Sequence, residues 1–151
     1  MRHMALDIGD ERIGVALSDE SGTLATPLEI VRRVPGPASF LRLAEIVRER
    51  GVERIVVGLP LLPDGSEGKQ VASTRAYVRG LVRYVDLPID YWDERHTSHE
   101  AREIVQSAAG AHDADGAPRR RGRRRRRPLD DVAAAVILQD YLDHHRGGSP
   151  A

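Results

Sequence analysis

Acidic residues at three places in the chain have the types and the surroundings that metal-dependent chemistry requires. Asp7 lies within an alternating apolar run near the start, Asp93 and Glu94 end a second apolar run, and Asp130 and Asp131 begin a third. A charged carboxylate within a β-forming run is costly unless a partner compensates it, and a metal ion is one such partner. Three carboxylates that meet could hold Mg²⁺ or Mn²⁺ and hydrolyse phosphodiester bonds by two-metal chemistry.

Ordinary structural roles remain open for each of these acids when it is considered alone. Asp7 could be a solvated residue on the outer face of a strand, and Asp130 could stabilise the dipole of the helix that it begins. Asp131 lies nearer the edge of the apolar side of the same helix, so it is a weaker candidate for a metal ligand than Asp130. The positions are far apart in the chain, so only the fold can bring them together.

The first two strands predict how Asp7 is placed. On the first strand bulky residues alternate with small ones, so that Leu6 and Ile8 face one side and Asp7 faces the other. On the second strand small residues share the side of Asp7, namely Gly14, Ala16 and Ser18. Small neighbours leave space beside the carboxylate, so the sequence predicts room for a ligand there.

Three more strands are predicted along the chain. The third strand covers residues 23–33, a near-continuous apolar strand covers 54–60, and a last strand covers 89–94. A run that is apolar on both faces is typical of a central parallel strand covered by helices. The predicted fold class is therefore α/β. Its mixed five-stranded sheet has antiparallel strands one to three, two strands parallel to the first, and helices on both faces.

Helical spacing and end signals predict the helices. Ser39 is expected to cap the first helix and Gly51 to stop it. The third helix begins at a capping box over residues 97–100. The second helix is predicted to present one apolar side, which consists of Val71, Val78, Leu81, Val82 and Val85.

The last helix is predicted over Leu129 to His145 and has two distinct faces on a helical wheel. Its polar face consists of Gln139, Asp140 and Asp143, and its buried face consists of Ala134, Ile137, Leu138 and Tyr141. Asp130 falls on the buried face. A carboxylate on the buried face of the first turn indicates that the start of this helix could contribute to a metal site.

Charge is distributed unevenly along the chain, although the formal net charge is zero. Eight arginines lie between Arg119 and Arg127, and the remaining 15 basic residues leave the rest of the chain with a net charge of −8. A basic cluster on an acidic body is typical of a protein that binds a polyanion, although a solvated loop fits the charge equally well. Residues 110–127 have no apolar periodicity and are predicted to be a mobile insertion in one domain that spans residues 1–151.

The chain has no cysteine, and no apolar run is long enough to span a membrane. Disulfides, thiolate metal sites and thiol nucleophiles are therefore excluded, which leaves Asp, Glu and His for chemistry. A cytoplasmic protein with no membrane partner is expected from this composition.

Four short motifs occur in order along nearly the whole chain. They are Leu6-Asp7-Ile8-Gly9 with Arg12-Ile13-Gly14-Val15-Ala16, Val57-Gly58-Leu59-Pro60 with Asp64-Gly65-Ser66, Asp93-Glu94-Arg95 with Thr97, and Leu129-Asp130 with Ala133-Ala134 and Ile137-Leu138-Gln139. In these motifs the sequence resembles the YqgF/RuvX family of pre-16S rRNA nucleases, also called Holliday junction resolvase-like proteins. The resemblance implies a ribonuclease H-like fold and a nuclease that acts in 5′-end maturation of precursor 16S rRNA.

The resemblance also implies roles for particular residues. Asp7, Glu94 and Asp130 would be the catalytic acids that bind Mg²⁺ or Mn²⁺, with Asp93 and Asp131 as alternates. Residues expected to contact the nucleic acid are Arg12, Arg95, His96, Arg123, Arg124, Arg125, Arg126 and Arg127.

Two departures from the family pattern concern the substrate rather than the fold. His96 stands where the family usually has an apolar residue, and it could touch substrate or be a tolerated surface change. The arginine-rich insertion before Asp130 is longer than the short basic connection of relatives. A basic loop beside the acids would favour contacts to the phosphate backbone without sequence readout.

Other activities remain open on the sequence alone. The nuclease could cut a Holliday junction or single strands of DNA or RNA, and symmetric junction cleavage would need a homodimer. Alternatively, the hairpin with Asp7, Gly9, Arg12 and Gly14 could cradle phosphate in an actin-like or sugar-kinase-like ATPase. Such ATPases place nucleotide between two related domains, and the chain has one copy of the pattern. A non-catalytic nucleic-acid binder is a further alternative.

Overall fold

The structure, a computed structural model, describes residues 1–96, 99–111 and 130–147, with side chains described except at 96, 99–100, 108–111, 130–131 and 146–147. Its strands are β1 (His3–Ile8), β2 (Arg12–Ser18), β3 (Ala25–Arg32), β4 (Arg54–Leu59) and β5 (Ile89–Asp93). Its α-helices are α1 (Ala38–Arg50), α2 (Lys69–Leu81), α3 (His99–Ala111) and α4 (Asp130–Gly147). A short 3-10 helix, Glu94–His96, follows β5 directly.

The five strands form one mixed sheet in the order β3-β2-β1-β4-β5. β1 pairs antiparallel with β2, and β2 pairs antiparallel with β3. β4 is parallel to both β1 and β5. The predicted topology is therefore confirmed. Because the carboxyl ends of β1, β4 and β5 meet at one edge, side chains at the ends of these strands can converge there.

The two faces of the sheet pack differently. One face presents bulky side chains of β1 and β2, including Leu6 and Ile13, to α1 and α2. The other face presents Ala5 and Ala16 to α4. Small residues let the helix approach the sheet closely, so they serve packing as well as leaving space near Asp7. Helices on both faces are confirmed.

Helix α1 corrects one predicted cap and confirms another. Ser39 lies inside the helix rather than at its start, where Pro37 is the N-cap residue. The Ser39 hydroxyl is buried and hydrogen-bonds the Tyr77 hydroxyl at 2.7 Å, so it links α1 to α2 instead of capping. Gly51 ends the helix with φ of 65°, as predicted.

Smaller differences concern where elements end. α2 ends at Leu81, so Val82 falls beyond the buried side of the helix and is 49% exposed, contrary to prediction. β5 ends at Asp93, because Glu94 begins the 3-10 helix. The capping box predicted for α3 includes Thr97 and Ser98, which lie outside the described residues.

The predicted polar face of α4 is wrong at two positions. Gln139 and Asp140 are only 2% and 1% exposed. The Gln139 side chain accepts a hydrogen bond from the backbone N–H of Ala25 and donates one to the carbonyl of Thr23, each at 3.0 Å. Asp140 accepts a hydrogen bond from Trp92 Nε1 at 2.9 Å. Polar side chains with buried partners can line an interior, which a helical wheel cannot detect.

A bilayer-spanning helix is not found in the described ranges, whose helices lack the required combination of length and hydrophobicity.

Candidate active site

Asp7 lies on the central strand, beside a tight hairpin turn. It pairs with Gly14 on β2, and the turn is closed by a 2.8 Å hydrogen bond from the Gly9 N–H to the Arg12 carbonyl. A pocket of about 370 Å³ opens here, lined by Asp7, Gly9, Asp10, Glu11, Arg12 and Gly14. The predicted space beside Asp7 therefore exists, and Arg12 lies at its wall.

Glu94 lies close enough to Asp7, at the carboxyl edge of the parallel strands, for the two charges to interact. A methyl group added to Gly58 on β4 would lie 2.9 Å from Glu94 Oε2 and 2.7 Å from Ile137 Cδ1. The lack of a side chain at Gly58 therefore makes the space that the Glu94 carboxylate occupies. Ile137 is a residue of α4, so that helix also reaches the acid site.

The charges at this edge oppose one another. Burial first, and then the negative charges of Asp7 and Asp93, raise the pKa of Glu94 from its ordinary value of 4.5 to about 7. A carboxylate with a raised pKa binds a proton near neutral pH unless another positive charge is supplied. The arrangement therefore suits a cation or a proton-transfer role.

Asp93 and Glu94 are adjacent in sequence but have different partners. The guanidinium of Arg95 binds Asp93 through Nε at 3.1 Å and Nη2 at 2.8 Å, and the Arg95 N–H donates to Asp93 Oδ1 at 2.9 Å. Asp93 is 17% exposed on its side chain and is held by this contact. The charges of both Asp7 and Asp93 act on Glu94, whose carboxylate is not held by Arg95 in the way that Asp93 is.

Arg95 also connects the acids to the loop after β4. Its Nη1 donates to the Pro63 carbonyl at 3.2 Å. Gly65 has φ of 89°, and a methyl group there would lie 3.4 Å from Arg95 Nη1. Asp64 Oδ1 shapes the same turn by accepting from the Ser66 N–H and hydroxyl, at 2.9 and 2.6 Å. Arg95 thus positions the loop and Asp93 at the edge of the site.

Arg33 is a supporting residue that sequence reasoning missed. Its Nη1 donates to the Gly9 carbonyl and to the Ser73 hydroxyl, each at 2.9 Å, and its guanidinium lies over the Tyr77 ring at 5.1 Å. Arg33 therefore ties the hairpin turn beside Asp7 to α2. No sequence signal separates it from the many other arginines of the chain.

The remaining predicted site residues lie outside the described side chains. Asp130 is the first residue of α4, but the side chains of Asp130, Asp131 and His96 are not described. The stretch Arg123–Arg127 lies outside the described residues altogether. Among the side chains that the structure does describe, no group of three His, Asp or Glu residues is arranged to hold a metal ion.

The sequence is similar to those of proteins named as nucleases. A "Putative pre-16S rRNA nuclease" of Ruegeria sp. (strain TM1040) is 43% identical over 143 residues, which cover 95% of this chain and 85% of the relative. A protein of the same name from Symbiobacterium thermophilum is 41% identical over 150 residues, covering 99% of this chain and 97% of the relative.

Among solved structures, RuvC of Thermus thermophilus aligns with a TM-score of 0.65 at 17% identity, covering 99% of this chain and 98% of that one. The same protein in complex with a Holliday junction aligns with a TM-score of 0.64 at 15% identity, covering 99% and 97% of the two chains. These alignments confirm the predicted ribonuclease H-like fold. The family model described as "RuvX: Holliday junction resolvase" matches residues 1–144, and the chain therefore belongs to this family of nucleases.

Proposed function

We propose that this nuclease uses Mg²⁺ or Mn²⁺ to hydrolyse phosphodiester bonds in structured RNA, and that its reaction is 5′-end maturation of precursor 16S rRNA in the cytoplasm. The observation that carries the proposal is the meeting of Asp7 and Glu94 at the carboxyl edge of the parallel strands, where each raises the cost of the other's charge. The relatives named as pre-16S rRNA nucleases support the choice of substrate.

The residues present fit a divalent cation. Asp7 and Glu94 supply carboxylate oxygens, which are the ligands that Mg²⁺ and Mn²⁺ prefer. Burial and like charge work against ionisation of Glu94, and a bound cation would remove that penalty. When bound, metal ions at such a site stabilise the charge that develops on the phosphate and the leaving oxygen.

Different residues of the chain would then bind the metal ions and the substrate phosphate. Asp7, from a strand, and Glu94, from the start of a 3-10 helix, are the proposed metal ligands and catalytic residues. Asp130 is the proposed third ligand because α4 begins there and its Ile137 reaches the acid site. Asp93 and Asp131 remain the alternates to their neighbours. Arg12 lies at the wall of the pocket and is the proposed contact for a substrate phosphate.

Basic residues beyond the described part are proposed to bind the RNA backbone. Arg123, Arg124, Arg125, Arg126 and Arg127 lie shortly before Asp130 in sequence, and α4 begins at Asp130. Contacts that neutralise several phosphates release counterions, so affinity should fall steeply with salt. Deleting residues 119–127 should flatten that dependence, whereas an unchanged slope in fluorescence anisotropy would make the run a solvated loop.

A branched DNA junction is the second candidate substrate. The family description and the junction-bound RuvC neighbour favour it. Cutting a junction symmetrically requires two active sites related by a two-fold axis, so this candidate also requires a homodimer. Analytical ultracentrifugation with and without junction DNA would detect that assembly.

The test is cleavage of labelled substrates by the purified chain. The panel contains precursor 16S rRNA with its 5′ extension, mature 16S rRNA, a four-way DNA junction, and single-stranded RNA and DNA. Each substrate is incubated with Mg²⁺, with Mn²⁺ and with EDTA, and the wild type is compared with Asp7→Asn. Metal-dependent cleavage confined to the precursor extension is expected. Cleavage of the junction alone would select the second candidate, and Asp7-independent cleavage would refute the proposed site.

A further inference from the structure

A second pocket lies at the opposite end of the sheet from Asp7 and Glu94. It has a volume of about 690 Å³, within the range of ligand sites in proteins. Its walls come from the starts of three parallel strands and from the end of α4: His3 on β1, Arg54 on β4, Asp90 on β5, and Tyr141 and His145 on α4. His3 and Asp7 are four residues apart on one face of β1, which separates the two sites by about 13 Å along the strand.

Aromatic rings form one wall of this pocket. The rings of Tyr141 and His145 are stacked, with centroids 4.0 Å apart and planes inclined by 26°. Trp92 packs edge-on against Tyr141 with centroids 5.6 Å apart, and tilted against His145 at 5.7 Å. Tyr141 is buried while His145 is exposed, so the histidine presents the open end of a stack whose other members are held in place.

The hydrogen bonds of His145 orient its ring. Nδ1 donates to the carbonyl of Tyr141 at 2.9 Å, because a carbonyl oxygen can only accept. In the neutral ring Nε2 therefore carries the lone pair and is an acceptor. The pocket thus combines a flat ring face with a ring acceptor, while the Ser21 hydroxyl on another wall donates to Asp19 at 2.8 Å.

Two cations line the pocket, namely Arg54 and the ammonium group of Met1, which donates to the Glu20 carbonyl at 2.7 Å. Arg54 Nη1 is paired with Asp90 Oδ2 at 3.0 Å, and the Tyr141 hydroxyl donates to the same carboxylate oxygen. Burial, the largest effect, lowers the pKa of His3, which therefore adds little positive charge at neutral pH. The carboxyl end of α4 carries a partial negative charge. A planar ligand with a polar edge fits the aromatic wall and the ring acceptor of this pocket.

We propose that this pocket binds an unpaired nucleobase of a single strand, which stacks on the ring of His145. Base stacking on aromatic rings is how proteins hold single strands without sequence preference. Given the proposed function, a strand cut at Asp7 and Glu94 would be held a few nucleotides away by this second contact. The inference rests on the proposed function only for that link between the two sites.

The test compares two neighbouring histidines of α4. His144 donates from Nδ1 to the Asp140 carbonyl at 2.9 Å as His145 does to Tyr141, and it also packs on Trp92, but it does not line the pocket. His145→Ala should weaken binding of a labelled oligouridylate about tenfold. His144→Ala should change it less than about twofold, and His145→Phe, which retains a ring face, should recover most of the affinity.

Affinity is measured by fluorescence anisotropy in EDTA, at a salt concentration high enough to weaken phosphate contacts. Trp92 is the only tryptophan in the chain and lies beside the stack, so quenching of its fluorescence reports occupancy of the pocket itself. An oligodeoxythymidylate arm distinguishes the sources of the base: equal losses with both strands assign recognition to the base, and a loss with RNA alone assigns it to base and ribose together.

The inference would be overturned if His145→Ala bound the oligouridylate with wild-type affinity, or if His144→Ala lost as much affinity as His145→Ala. Because EDTA prevents metal-dependent cleavage, the outcome is separable from the proposed function. A chain that cleaves precursor rRNA but shows no His145 effect keeps its proposed function and loses this second site. A chain that shows the His145 effect without any cleavage keeps this second site and loses its proposed function.

Discussion

The carboxylates at the two ends of the parallel strands have opposite electrostatic surroundings. At the carboxyl end Asp7 and Glu94 bring like charges together, and the pKa of Glu94 rises to about 7. At the amino end Asp90 receives hydrogen bonds from Arg54 and Tyr141, so its charge is matched by its neighbours. At the acid end, a bound cation would relieve the electrostatic cost that burial and like charge impose on Glu94.

The largest effect that tests this contrast concerns the proposed metal ligands. Asp7→Asn and Glu94→Gln should each lower cleavage by at least about 10³-fold, because two-metal chemistry depends on the placement of both ions. Rates are measured on the precursor rRNA, with Asp10→Asn as the matched control because Asp10 is an exposed acid in the same pocket.

The adjacent acid sharpens this test. Asp93→Asn removes one partner of Arg95 but no proposed ligand, so its loss of activity should be smaller than that of Glu94→Gln. A dead Asp93→Asn enzyme beside an active Glu94→Gln enzyme would exchange the roles of the two residues. Full activity in all of these variants would exclude the acid site from catalysis.

The second effect is a pH dependence of stability without metal. Glu94 has a folded-state pKa of about 7 against an ordinary value of 4.5. A raised folded-state pKa favours folding below pH 4.5, and this contribution is lost as the pH rises through 7, by roughly 2 to 3 kcal/mol. Thermal melts in EDTA should therefore show a fall in Tm between pH 5 and about pH 8 that Glu94→Gln reduces.

Added Mg²⁺ or Mn²⁺ should restore the lost stability at high pH, because ligand binding to the folded state stabilises it. Asp7→Asn and Asp130→Asn should each diminish that rise in Tm. A metal-induced rise that is identical in the wild type and both variants would mean that the ion binds elsewhere.

The third effect tests the position of the Glu94 carboxylate without changing its charge. A methyl group at Gly58 would approach Glu94 Oε2 to 2.9 Å and Ile137 Cδ1 to 2.7 Å, and both atoms are the far ends of flexible side chains. Gly58→Ala should therefore cost little stability but move the Glu94 carboxylate, and a displaced catalytic group can lower the rate by about 10²-fold. Melting and cleavage are measured together. A loss of stability as large as the loss of activity would point to misfolding instead.

The sheet was predicted correctly from local rules, and the same rules predicted that Asp7 and Glu94 lie at one edge, where the charge of Asp7 acts on Glu94. Alternation fixes the face of Asp7, and the end of an apolar strand fixes the position of Glu94. The roles of Arg33 and Gln139 could not be predicted in this way. Each depends on a partner far away in the chain, the Gly9 carbonyl for Arg33 and the Ala25 N–H for Gln139. A polar residue reveals no burial until its partner is known.

The smallest effect is expected at the amino end. Tyr141→Phe removes the hydroxyl that hydrogen-bonds Asp90 but retains the ring, and Arg54 still pairs with the carboxylate. The change should cost about 1 kcal/mol of stability, since one hydrogen bond is lost while its acceptor keeps another partner. Cleavage should remain at the wild-type rate, because the acid site lies at the other end of the strands. Denaturant unfolding and precursor cleavage measure the two quantities on one sample. A Tyr141→Phe enzyme with normal stability and impaired cleavage would show that the two ends of the sheet are coupled through α4, and the two ends could then not be treated as independent sites.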